Sequence, residues 1–301
     1  MEREETSGWG ENTEPMRLRA FIALPVLLAV LTFASAAGAM GSPRVAALQV
    51  TLWNRGLYHA TIDGVKGPLT TAAVRRFQRR RGLVPDGIVG PKTRRALGRY
   101  ARYRLGDRVL FDGTWGWDVA ALQFRLAWHG FLYGPFDGRF GTRTGAALFR
   151  YQRWRRIGAD GVAGPVTIRT LFEPVPRSRL RFSWPIRASV GSPFGPRGNR
   201  FHAGIDLPAA WNTRVGAARR GRVVFAGWSP GSYGRLVIVS HRYGMRSFYA
   251  HLNRVTVRAG QRVARGVRVG LVGSSGFSTG PHLHFELRRR GAAVDPLHAL
   301  R

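Results

Sequence analysis

Apolar positions change period along this chain. Between residues 45 and 53, Val45, Leu48, Leu52 and Trp53 fall at helical spacing and predict a short amphipathic helix. A turn at Asp63-Gly64 leads to a second helix that starts near Thr70, a residue able to cap it, with Val74 and Phe77 turned inward. A second turn at Asp86-Gly87 leads to a third helix, capped near Pro91 to Thr93, with Leu97 on its buried side. After residue 200 the pattern shifts to short β-rich runs broken by glycine: Arg222 to Ala226, Leu236 to Ser240, Ser247 to Leu252, Arg268 to Val272 and Leu283 to Leu287. Many short strands with tight turns predict an all-β domain.

The helical part repeats itself. Val45-Ala46-Ala47-Leu48-Gln49 returns as Val119-Ala120-Ala121-Leu122-Gln123, and Phe77-Gln78 corresponds to Tyr151-Gln152. A DGxxGxxT pattern begins at Asp63, Asp86, Asp137 and Asp160, the first matching the third and the second the fourth. Several independent matches at one offset mark a duplication. The Asp-Gly turns read as structural, since Gly accepts positive φ and Asp bonds the nearby backbone. His59 and His129 do not align under the repeat and read as surface or packing histidines. Residues 43–98 and 114–172 are the two expected copies, and Pro174 and Pro176 fall in an expected linker over 173–183.

Ahead of the repeats, Arg17 and Arg19 precede an apolar run from Ala20 to Phe33, then small residues with an A-x-A site at Ala37-Gly38-Ala39. This is the form of an export signal over residues 1–39. Met16 opens the signature neatly after an acidic stretch, which makes it the expected true start. An uncleaved single-pass membrane anchor is the alternative, and the shortness of the apolar part favours cleavage. The chain has no Cys, which excludes disulfides, thiolate catalysis and Cys-ligated zinc. Its formal net charge of +32 draws polyanions, either nucleic acid or an anionic cell wall. The arginines are spread along the chain with no recognition motif, and export argues against nucleic acid.

Six of the eight histidines follow residue 200, and four of them fall in three islands. These are Phe201-His202-Ala203-Gly204-Ile205-Asp206, Tyr249-Ala250-His251-Leu252 and Gly280-Pro281-His282-Leu283-His284-Phe285-Glu286. On a strand His282 and His284 share one face, with Leu283 toward the core. Gly204 lets the backbone bend so that His202 and Asp206 can reach one point. Two imidazoles and one carboxylate suit zinc and leave a fourth position open, as catalytic sites require. Glu286 shares the face of His282 and His284, either orienting a ligand or lying at the surface. His241 reads as structural or beside the substrate, and His298 as surface.

HxxxD, YAHL and GPHLHFE in this order, with Ser192-Pro193-Phe194-Gly195-Pro196-Arg197, the stretch Gly270 to Gly276, and Val294-Asp295-Pro296, resemble the lysostaphin-like (LytM-type) zinc endopeptidases of peptidoglycan. The helical repeats resemble the peptidoglycan-binding domain that accompanies many wall hydrolases. The resemblance implies a multidomain fold: two small three-helix, all-α peptidoglycan-binding modules, then an all-β antiparallel metallopeptidase domain of duplicated hybrid motif type over residues 184–301. It implies His202, Asp206 and His284 as ligands of Zn2+, and His251 and His282 as the unliganded pair acting on water and transition state. It implies a hydrolase of wall cross-bridges or stem peptides with peptidoglycan as partner, while the leader adds secretion and the net charge adds anionic wall polymers as a further partner. The competing reading is a non-catalytic wall-binding regulator or activator of another hydrolase. Oligomeric state is not legible. Only Gly198 to Phe201 separate Arg197 from His202, so the groove wall there is expected to be short.

Overall fold

Each helical repeat is organised around two buried glutamines. The computed structural model describes residues 40–131 and 134–301, so the expected export segment lies outside the described residues. In the first repeat, helices α1 (Pro43–Trp53), α2 (Pro68–Arg80) and α3 (Pro91–Leu97) enclose Gln49 and Gln78. In the second, α4 (Trp117–Trp128), α5 (Thr142–Arg155) and α6 (Pro165–Leu171) enclose Gln123 and Gln152. Gln49 Nε2 donates to Asp63 Oδ1 at 2.7 Å, to the Val65 carbonyl and to Thr70 Oγ1 at 3.1 Å, while its Oε1 accepts from the Gly64 amide at 2.8 Å. Gln78, Gln123 and Gln152 make the same set of bonds to their own Asp-Gly turn and threonine. A fully paired buried amide fixes the turn, so the DGxxGxxT pattern is structural in all four places.

The threonines do not cap the helices. Gly67, Gly90, Gly141 and Gly164 stand at the N-caps, and Pro68, Pro91 and Pro165 open three of the helices. Proline suits the first helical turn because its missing N–H would be unpaired there anyway. That places each threonine one turn inside, where it serves the glutamine instead. The repeats share one core: α1 packs on α4, and Trp117 Nε1 donates to Thr51 Oγ1 at 2.6 Å across the contact.

Residues 195–301 form antiparallel strands. Strands β1 (Gly195–Arg197) and β2 (Arg200–His202) make a separate two-stranded hairpin. A nine-stranded sheet holds β3 (Ile205–Pro208), β4 (Arg214–Gly216), β5 (Gly221–Ser229), β6 (Gly234–Ser240), β7 (Met245–Val255), β8 (Arg262–Val263), β9 (Arg268–Val272), β10 (His282–Arg289) and β11 (Ala292–Val294). Its main path runs β11-β10-β7-β6-β5-β8, with β3 also on β10, β9 on β7 and β4 on β9. Leu283, Phe285 and Leu287 of β10 and Ile205 and Leu207 of β3 point into its core, which frees the alternate faces of both strands for polar residues. Among the described residues no helix is long and apolar enough to cross a membrane.

Candidate metal centre

The register of β3 and β10 builds the centre. His284 lies directly opposite Asp206 across the ladder, so both side chains stand on the same face of the sheet. His202 comes from the end of β2 and reaches the same point. His202 Nε2 lies 3.0 Å from His284 Nδ1 and 3.1 Å from Asp206 Oδ1, and His284 Nδ1 lies 2.8 Å from Asp206 Oδ1. Those separations approach the edge of about 3.3 Å in a tetrahedron with metal–ligand bonds of about 2.0 Å. Gly204 between His202 and Asp206 is needed for space rather than for bending: a Cβ there would meet the Phe285 carbonyl oxygen at 2.4 Å.

The far nitrogens are tied down, which fixes the tautomers. His202 Nδ1 donates to the Pro193 carbonyl at 2.8 Å, leaving the Nε2 lone pair for a metal. His284 Nε2 donates to Glu286 Oε1 at 3.0 Å, leaving Nδ1. Glu286 is 1% exposed, so the surface reading of this residue is wrong. It accepts from Tyr233 Oη at 2.7 Å and from Arg288 Nε at 2.6 Å. Carboxylate–histidine pairs of this kind orient metal ligands and raise their basicity. Arg197 Nη1 donates to Asp206 Oδ2 at 2.9 Å and leaves Oδ1 toward the histidines.

The charges follow. Burial opposes ionisation of Asp206, but bonds to His202 and His284 outweigh it and hold the carboxyl well below the usual range. Burial likewise opposes a charged Glu286, yet Arg288 and His284 bring it down to about 2. Burial works against the imidazolium of His284, and Asp206 and Glu286 overcome that and raise it to about 9. In the metal-free chain a proton therefore sits where a cation would, and the two compete for Nδ1.

His251 and His282 stand beside this group, their rings 4.8 Å apart. His251 Nδ1 donates to the Ser275 carbonyl at 2.7 Å and His282 Nδ1 to the Gly280 carbonyl at 2.8 Å, so Nε2 of each is the nitrogen left to meet a substrate. His251 has φ +60, a left-handed conformation that histidine tolerates better than most residues but that is held against a cost. Burial lowers its pKa to about 4, with His284 and His282 adding to the effect, so it is neutral near pH 7. A cavity of about 1010 Å³ opens over the five residues, and Phe277, 84% exposed, stands on its rim.

The other histidines lie elsewhere. His241 bonds the Arg220 carbonyl and Ser247 Oγ and packs on Phe182. His129 is buried against Tyr151 and bonds the Leu171 carbonyl. His59 is exposed, and His298 lies near Asp295. The roles of Arg197 and Tyr233 are not visible in the sequence pattern. The period-two spacing of Glu286 from His284 shows their shared face but not the burial that makes Glu286 a partner of His284.

Comparison with known proteins places the pieces. Residues 200–296 match the model described as "Peptidase family M23", and residues 41–97 and 116–171 each match "Putative peptidoglycan binding domain". An "Uncharacterized metalloprotease" of Haemophilus influenzae is 36% identical over 132 residues, 42% of this chain and 28% of its own length. The "DD-carboxypeptidase/endopeptidase Mpg" of Neisseria meningitidis is 41% identical over 114 residues, 36% of this chain and 26% of its own length. The chain thus spans only about a quarter of these relatives. The catalytic domain of lysostaphin from Staphylococcus simulans is a solved structure 32% identical, aligned over 37% of this chain and 90% of its own, with a TM-score of 0.35.

Proposed function

We propose that this chain, an M23-family peptidase domain carried behind two peptidoglycan-binding domains, is an exported zinc endopeptidase that cuts peptide bonds of peptidoglycan. The observation that carries the reading is the convergence of His202 Nε2, Asp206 Oδ1 and His284 Nδ1, beside two further histidines that make no part of that triad. The complete donor set speaks against the non-catalytic regulator. Zinc held there would act as a Lewis acid on the scissile carbonyl and lower the pKa of water to about 7.

The chain's own residues do the rest. Arg197 and Glu286 hold Asp206 and His284 in ligand geometry. His251, neutral near pH 7, accepts the proton of the attacking water at Nε2. His282, across the 4.8 Å ring contact, acts in its protonated form, its Nε2–H donating to the developing oxyanion and then passing that proton to the leaving amine. The cavity takes an extended peptide, with Phe277 offering an apolar rim. The peptidoglycan-binding pair and the +32 charge favour an anionic wall. Digestion of purified sacculi tests the reading: new amino groups and peptide-cut fragments by mass spectrometry are expected, abolished by a chelator and restored by zinc. Intact peptides after digestion with the zinc-loaded chain would refute it.

A further inference from the structure

The strand that ends in His202 is not a member of the nine-stranded sheet. β1 and β2 are three residues each, pair only with one another and stand apart from the nine-stranded sheet. An isolated hairpin is marginal in water. From the sheet side this one has the Arg197–Asp206 contact and Phe194 packed on the core, and the helical pair grips the rest of it. At its tip the Gly198 carbonyl accepts from the Ile62 amide at 2.9 Å, the Gly198 amide donates to Thr61 Oγ1 at 3.2 Å, and the Asn199 carbonyl accepts from the Phe136 amide at 2.6 Å. On its flank Trp128 of α4 packs edge-on against Phe194 and Phe201, with ring centroids 6.2 and 5.4 Å away, and Phe201 immediately precedes His202.

The second repeat also grips the hairpin that continues the other ligand strand. The Ala293 amide donates to the Gly130 carbonyl at 3.2 Å, and Trp154 Nε1 donates to the Arg289 carbonyl at 3.2 Å. Ala292 is buried in the core of the helical repeats rather than that of the sheet. Gly130 is required at this contact, because a Cβ would meet the Ala293 carbonyl oxygen at 2.2 Å. Gly134 and Arg143 of the same repeat line the cavity over the metal centre.

We infer that the peptidoglycan-binding pair is a positioning element of the catalytic centre as well as a tether: Thr61 and Trp128 hold the hairpin that delivers His202 to the metal. The inference rests on the reading of His202, Asp206 and His284 as metal ligands. Trp128 and Thr61 touch no reacting atom, and they act through the backbone of residues 194–202.

The test uses the full chain with Trp128→Ala, Trp128→Phe and the milder Thr61→Val, which removes only the Oγ1 acceptor. The zinc Kd is measured by competition with a chromophoric chelator. Hydrogen exchange is followed at residues 194–202 and in the nine-stranded sheet, and both readouts are independent of turnover. Trp128→Ala should weaken zinc about 10- to 100-fold, the range found when groups that orient ligands are lost. It should speed exchange in the hairpin while the sheet stays protected, and Trp128→Phe should recover most of both. Thr61→Val should fold as the parent does and weaken zinc several-fold. A wild-type Kd and wild-type hairpin exchange in Trp128→Ala, or in Thr61→Val should Trp128→Ala not fold, would overturn the inference alone. A wild-type chain that binds no zinc would overturn the metal reading, and the inference with it.

Discussion

Glu286→Gln isolates the carboxylate behind His284. The substitution keeps the side chain's shape and one acceptor but removes the negative charge that Arg288 and His284 share. Its size follows from the metal-free chain, where the Glu286 carboxyl falls from 4.5 to about 2. At about 1.4 kcal/mol per unit, that is about 3 kcal/mol. His284 rises from 6.5 to about 9 through Asp206 and Glu286, and its contact with Glu286 is shared with the carboxyl's fall, so that contact counts once. The sign is set by both partners. A depressed carboxyl contributes above 4.5 and loses its contribution as pH falls through about 2, while a raised imidazole contributes below 6.5 and loses it as pH rises through about 9. The metal-free variant should therefore melt lower by on the order of 10 °C between pH 4.5 and 6.5, with the deficit shrinking toward pH 9. Calorimetry of both chains across that range is the assay, with zinc affinity as the companion, expected to fall about 10- to 100-fold. Equal melting and equal zinc Kd in the two chains would refute the role given to Glu286.

Other outcomes follow from the same geometry. Zinc binding near pH 7.5 should release about one proton from His284, because its imidazolium persists to about pH 9 in the metal-free chain. Titration calorimetry in buffers of different ionisation enthalpy measures that proton, and a buffer-independent heat would contradict it. Arg197→Gln should weaken zinc by no more than about fivefold, since the Arg197–Asp206 pair is open to solvent on the arginine side. A chelator-competition Kd shifted by orders of magnitude would show that Arg197 does more than orient Asp206. Wall binding by the full chain should fall as salt rises, through screening of its positive surface beyond a Debye length of about 8 Å at physiological ionic strength. Sedimentation with sacculi over a salt series would expose a salt-independent mode instead.

Much of this molecule was legible because its chemistry is local in sequence. The duplication and the Asp-Gly turns could be read directly. The glutamines could not, because their partners meet only when the turn folds back: Gln49 reaches Asp63, Val65 and Thr70 at once. That is also why Thr70 reads as a cap from sequence and proves to be a buried partner. His282, His284 and Glu286 sit at period two on one strand, so their shared face was visible, but the burial that decides between orienting and surface roles was not. Arg197 reaches Asp206 across a hairpin turn, and the left-handed φ of His251 falls at the register shift between β6 and β7, so neither leaves a mark in the local pattern. The packing of Trp128 on Phe194 and Phe201 depends on two surfaces far apart in the chain, and the sequence alone suggested independent modules on a linker.

The central claim is a division of labour between two kinds of histidine, and zinc stoichiometry measured beside turnover tests it most directly. His202→Ala and His284→Ala, purified and folded, should lose zinc and activity together, because each removes one of three donors. His251→Ala and His282→Ala should keep close to one zinc per chain and lose turnover of a wall peptide by about a hundredfold or more. Loss of the metal from His251→Ala with retention in His202→Ala would contradict the account.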